Sequence, residues 1–165
     1  MEKIDGNIII TGAAGFIGAA LSLQLIKKGM KVIGIDNLND YYDTNLKKKR
    51  LEIINQLNLK NKSSWKFFKC DISNKSSLRN IFIKYKPTIV INLAAQAGVR
   101  YSLIFPEKYV SSNLVGFSNI LENCINHKIK HLIFASSSSV YGGNKKLPFT
   151  EEQNVDNPVS LYGAT

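Results

Sequence analysis

The chain has 165 residues, 44% hydrophobic and 21% charged, which is enough apolar material for one core and too little for two. Its 22 lysines and arginines against 12 acidic residues give a net charge of +10, but the cations are spread among asparagines and isoleucines instead of forming a stripe, which argues against a nucleic-acid-binding module. No apolar run approaches the ~20 residues of a membrane span, and Met1-Glu2-Lys3-Ile4-Asp5 lacks the basic start and apolar stretch of a signal peptide, so the expectation is a cytoplasmic protein without membrane or nucleic-acid partners.

Short apolar runs of strand length alternate with longer segments of helical period, the pattern of parallel strands joined by crossover helices. Strands are predicted over 7–11, 31–35, 65–69, 88–92 and 131–136, and helices over 16–28, 45–57, 75–85 and 107–126. Ile8-Ile9-Ile10 and Ile89-Val90-Ile91 are continuously apolar, as central strands covered on both faces are. Gly29 stops the first helix and Pro87 separates the third from its following strand. Lys47-Lys48-Lys49-Arg50 is expected on the solvent face of the second helix. Beyond Gly142 the chain is rich in turns and carries Pro148 and Pro158. The two cysteines, Cys70 and Cys124, read as small buried hydrophobes, and no metal-ligand spacing is present.

The first strand runs straight into Thr11-Gly12-Ala13-Ala14-Gly15-Phe16-Ile17-Gly18. At a strand-to-helix junction three such glycines have separate uses: Gly12 permits the tight turn, Gly15 lets a pyrophosphate approach the backbone, and Gly18 lets helix and strand pack closely. A diphosphate there meets unpaired helix amides at the positive end of the dipole. Asp36 closes the second strand 24 residues after Gly12, where a carboxylate accepts hydrogen bonds from adenosine ribose hydroxyls and repels a 2′-phosphate, so NAD is inferred over NADP. No arginine follows to bind that phosphate. Asn37, Asp71-Ile72 and Leu93-Ala94-Ala95 fall on the same carboxyl edge of the sheet, with Ser112 facing the nicotinamide side and Tyr41 and Tyr42 packing a loop over the adenosine end.

These residues together resemble the extended short-chain dehydrogenase/reductase family, in particular its nucleotide-sugar epimerases. The glycine pattern, Asp36, Asp71-Ile72, Leu93-Ala94-Ala95, the serine run before Val140-Tyr141-Gly142, and Tyr162 stand in the family's order. Gly34 to Asp43 and Ala94 to Ser102 are similar to the UDP-glucuronate 4-epimerases. The resemblance implies an α/β Rossmann-type doubly wound parallel sheet, with residues 1–165 as an incomplete NAD-binding domain. The family's last strands and its C-terminal nucleotide-sugar-binding domain lie outside these residues, as does the lysine the family carries four residues after its tyrosine.

It further implies that Gly12, Gly15, Phe16, Ile17, Gly18, Asp36, Asn37, Asp71, Ile72, Leu93, Ala94, Ala95 and Ser112 hold NAD. Tyr162 would take the proton of the sugar's 4-hydroxyl while carbon 4 gives a hydride to NAD, and Ser137, 25 residues earlier, would hydrogen-bond the same hydroxyl. Ser138-Ser139 stand where related dehydratases carry acidic residues, which favours epimerisation of a UDP-sugar without elimination. The same resemblance implies a homodimer at full length, through a helix starting near Tyr162 paired with 107–126. In the chain alone, Leu114, Phe117, Ile120 and Leu121 are accordingly expected to lack partners. UDP-glucose 4-epimerase activity, or a catalytically silent NAD-binding fragment, remain alternatives.

Overall fold

A computed structural model describes residues 6–61 and 64–165, so the reading of the first five residues lies outside the described residues. Five strands, β1 (Asn7–Thr11), β2 (Lys31–Asp36), β3 (Trp65–Lys69), β4 (Pro87–Asn92) and β5 (His131–Phe134), form one sheet in the order β3-β2-β1-β4-β5. Every pairing is parallel. The expected doubly wound α/β sheet is therefore present. The chain steps outward from β1 to β2 and β3, then crosses back to β4 on the other side of β1, and this reversal opens a crevice at the carboxyl ends of β1 and β4.

The helices α1 (Phe16–Lys27), α2 (Thr44–Asn61) and α3 (Lys75–Tyr85) follow the first three strands. Alternation along β1 divides the core: Ile8 and Ile10 pack with Ala19, Ile26, Leu51, Ile54 and Trp65 on one face. Ile9 joins Ile33, Ile35, Leu78, Phe82, Val90 and Ile120 on the other. Each fully buried isoleucine contributes about 1.5–3 kcal/mol of transfer free energy. Asn74 caps α3 by accepting from Ser77 N–H, and Lys86 in the left-handed conformation ends it.

Three sequence expectations need correction. The predicted helix over 107–126 is composite: α4 (Val99–Ile104) precedes it, α5 (Pro106–Tyr109) opens at a proline, Val110–Gly116 is π-helical, and α6 (Phe117–Asn126) completes it. The wider turn brings Gly116 against Ile72, where a Cβ would fall 2.6 Å from Ile72 Cγ1. β5 ends at Phe134, two residues early, because its partner β4 stops at Asn92. Ile120 is fully buried and Phe117 is half-buried with its ring 5.2 Å from Phe134, so of the four residues expected to lack partners only Leu114 and Leu121 are exposed. Among the described residues no helix is long and apolar enough to cross a membrane.

After β5 the chain forms a 3₁₀ turn (Ser138–Tyr141) and ends in the short α7 (Leu161–Ala164). Ser160 caps α7 by accepting from Gly163 N–H at 2.9 Å.

Candidate nucleotide site

The crevice is built by hydrogen bonds that join strand ends. Thr11 Oγ1 donates to Asn92 Oδ1 (2.6 Å) and accepts from Leu93 N–H and Ala94 N–H (3.1 Å each), so the last residue of β1 shapes the loop leaving β4. Gly12 has φ +67°, and a Cβ there would lie 2.8 Å from the Leu93 carbonyl. At Gly18 a Cβ would sit 2.1 Å from the Gly12 carbonyl oxygen, which shows why α1 approaches the turn only with glycine. Gly15, the residue before α1, leaves the helix start without a side-chain cap and without acidic residues in its first turn. The first-turn amides of this 12-residue helix lie at the positive end of its dipole.

Asp36 Oδ2 accepts from Ala14 N–H (3.1 Å), while Oδ1 accepts from Leu38 N–H (2.8 Å) and from Lys47 Nζ (3.4 Å). Lys47 also donates to Asn39 Oδ1 at 2.9 Å. Arg50 Nη1 donates to Ala14 O (3.2 Å) and Tyr42 Oη (2.8 Å). The basic run therefore splits: Lys48 and Lys49 are exposed, whereas Lys47 is only 5% exposed, drawn inward by Asp36 and Asn39, and Arg50 is half-buried on the Ala14 carbonyl and the Tyr42 hydroxyl. The outer-face reading holds for half of the run.

Next along the edge, Asn37 Nδ2 donates to Asp71 Oδ2 (2.8 Å), and Ser73 donates to Asp71 Oδ1 from N–H (2.9 Å) and Oγ (2.7 Å). Partial burial opposes the charge on Asp71, but these donors outweigh it and hold the carboxyl below its ordinary value. Burial, aided by the Asp71 charge, pushes the Cys70 thiol up. Asn113, in the π-helical segment, clamps the backbone of Gln96 by accepting from its N–H (2.8 Å) and donating to its carbonyl (3.0 Å). Gln96 is 2% exposed, and its side chain reaches the Tyr109 hydroxyl.

One cleft gathers Gly12, Gly15, Asp36, Asn37, Asp71, Ile72, Leu93, Ala94, Ala95 and Ser112, ten of the residues expected to hold a dinucleotide, together with Tyr41 and Tyr42. Gly18 is buried against the Gly12 carbonyl and is not part of the lining. Phe16 and Ile17 stand outside its lining, exposed at the mouth of α1. Lys47, Asn39, Cys70 and Gln96 line it as well, although the sequence reading put Lys47 on the solvent face, took Cys70 for a small buried hydrophobe and gave Asn39 and Gln96 no separate role. Ser137 and Tyr162 lie apart from this cleft but near each other's segments: a Cβ on Gly163 would fall 2.7 Å from the Ser139 carbonyl, so α7 rests on the serine turn. Ser137 Oγ is 3.3 Å from Ser139 Oγ, and Tyr162 meets Tyr109 edge-on with ring centroids 5.9 Å apart.

The GDP-mannose 4,6 dehydratase family profile matches residues 9–165. The chain belongs to that family. This agrees with the short-chain dehydrogenase/reductase resemblance of its motifs, and the family's name by itself assigns no reaction to this member. Protein CapI of Staphylococcus aureus is 50% identical over 159 residues, covering 96% of this chain and 46% of that protein. A UDP-glucuronate 4-epimerase of Thermodesulfobacterium geofontis is 46% identical, covering 97% of this chain and 48% of its own length. Among solved structures, UDP-glucose 4-epimerase of Bifidobacterium longum in complex with NAD+ and UDP aligns with a TM-score of 0.81 at 27% identity, over 96% of this chain and 45% of that one. The chain thus spans about half the length of the relatives it matches.

Proposed function

We infer that this chain is the NAD-binding part of a nucleotide-sugar 4-epimerase, with UDP-glucuronate as the substrate. The observation that carries the reading is the single cleft at the strand-order reversal, which joins the glycine turn, the Asp36 carboxylate and the small Ala94-Ala95 edge. The residues fit the group. The uncapped start of α1 offers amides to a diphosphate, and Asp36 retains acceptor capacity for ribose hydroxyls beyond its three bonds.

When bound, NAD would take a hydride from carbon 4 and later give it back, leaving the cofactor unchanged overall. The chain's own residues would orient the sugar and move its proton, with Tyr162 Oη as the base and Ser137 Oγ as a hydrogen-bond partner of the 4-hydroxyl. Ser138 and Ser139, both uncharged, leave no carboxyl beside them for elimination. In this reading the full-length protein is a cytoplasmic homodimer, and residues 1–165 alone bind NAD without turnover. UDP-glucose is the competing substrate, supported by the likeness to the Bifidobacterium longum enzyme.

The test is an assay in a protein of the relatives' length carrying this chain, with UDP-glucuronate and UDP-glucose offered separately and the 4-epimers separated by chromatography. UDP-glucuronate is expected to be converted, and Tyr162→Phe to abolish conversion while leaving NAD bound. Conversion of UDP-glucose alone transfers the assignment to the competing substrate, and retention of turnover by the Phe variant removes Tyr162 from the mechanism.

A further inference from the structure

The corner of the cleft that decides between NAD and NADP holds a cation as well as an anion. Lys47 reaches it from the first turn of α2, and its ammonium is fixed by Asp36 Oδ1 at 3.4 Å and Asn39 Oδ1 at 2.9 Å, with the Tyr42 ring centroid 5.1 Å away. Both side chains of the ion pair are 6% exposed, and both residues line the cleft. An ammonium carries three N–H donors, and the protein supplies two oxygen acceptors. The charge that meets an incoming ribose is therefore that of a neutralised pair and not that of a bare carboxylate.

We propose that Lys47 is a latent ligand for an adenosine 2′-phosphate, and that Asp36 selects NAD largely by holding this ammonium against itself and Asn39. The inference rests on the dinucleotide reading above and deepens it by naming the residue that sets cofactor selectivity. A carboxylate that only repels the phosphate predicts that removing its charge relaxes the preference. A carboxylate that also sequesters Lys47 predicts that removing its charge inverts the preference, because the freed ammonium then pairs with the phosphate. Asn at position 36 removes the charge and keeps one of the two oxygens that accept from Ala14 and Leu38 N–H, and Met at 47 preserves the buried stem.

Calorimetric titration of the 165-residue chain with NAD and with NADP separates these cases, with circular dichroism melts to confirm folding. Wild type prefers NAD. Asp36→Asn is expected to tighten NADP at least tenfold, and Asp36→Asn combined with Lys47→Met to lose that gain. Lys47→Met alone, which does not depend on the Asp36 variant folding, is expected to raise the NADP-to-NAD Kd ratio at least threefold, with Lys47→Arg restoring it. Equal NADP affinity with and without Lys47 in both backgrounds overturns the lysine assignment while NAD binding stands. Binding of neither dinucleotide by wild type overturns the dinucleotide reading, and the proposal with it.

Discussion

Asn37 Nδ2 donates to Asp71 Oδ2 across 2.8 Å, tying the chain that leaves β2 to the chain that leaves β3. With Ser73 on the other oxygen, the carboxylate is stabilised in its charged form despite partial burial. Its folded value lies below the unfolded one, so its contribution to stability is complete above about pH 4 and is lost as acid carries the pH down through the folded value. Asp71→Asn lacks that contribution at every pH. The melting-temperature gap between wild type and variant should be widest near pH 6 and narrow below about pH 4. A gap that stays constant from pH 6 to pH 3 would show that the charge on Asp71 does not matter to the fold.

Gly18→Ala places a methyl group 2.1 Å from the Gly12 carbonyl oxygen and 3.0 Å from Ala13 Cα, both backbone atoms that cannot rotate away. The expected cost is about 1–3 kcal/mol, the range for overpacking a close contact. Gly143→Ala meets nothing nearer than Val159 Cγ1 at 3.9 Å and should stay within about 0.5 kcal/mol of wild type. Urea denaturation of both variants measures the contrast.

Neighbouring residues on α6 carry opposite expectations. Ile120 is fully buried against Ile9, Phe82 and Val90, whereas Leu121 is 40% exposed. Ile120→Ala should cost about 2–5 kcal/mol, and Leu121→Ala about 0.5 kcal/mol or less. Equal losses in chemical denaturation would mean that α6 packs with a different face.

The sheet was legible in the sequence because continuous apolar runs bounded by glycine, proline and lysine leave few other assignments. β1, β3 and α3 have the bounds that periodicity predicts. The glycine turn and the residues at the strand ends were legible for the same reason, since each needs a particular backbone or a particular charge. The inward turn of Lys47 was not, because a lysine run carries no mark of which member meets a buried acceptor; that depends on Asp36 and Asn39 arriving from β2 and its loop. The π-helical turn at Val110–Gly116 was equally hidden, as its apolar spacing barely differs from that of an α-helix over seven residues. Thr11 reads as an ordinary strand residue until Asn92 and Leu93 are beside it in space.

The central claim, that the cleft between β1 and β4 receives NAD, is tested most directly by calorimetric titration of NAD into the wild-type chain and into Ala95→Trp. Ala95 is exposed and lines the cleft, so a tryptophan there fills the binding volume without entering the core. The account predicts that wild type binds NAD and that the variant, with an unchanged melting temperature, binds at least tenfold more weakly. Absence of NAD binding by wild type, or equal affinity in the two proteins, would contradict it.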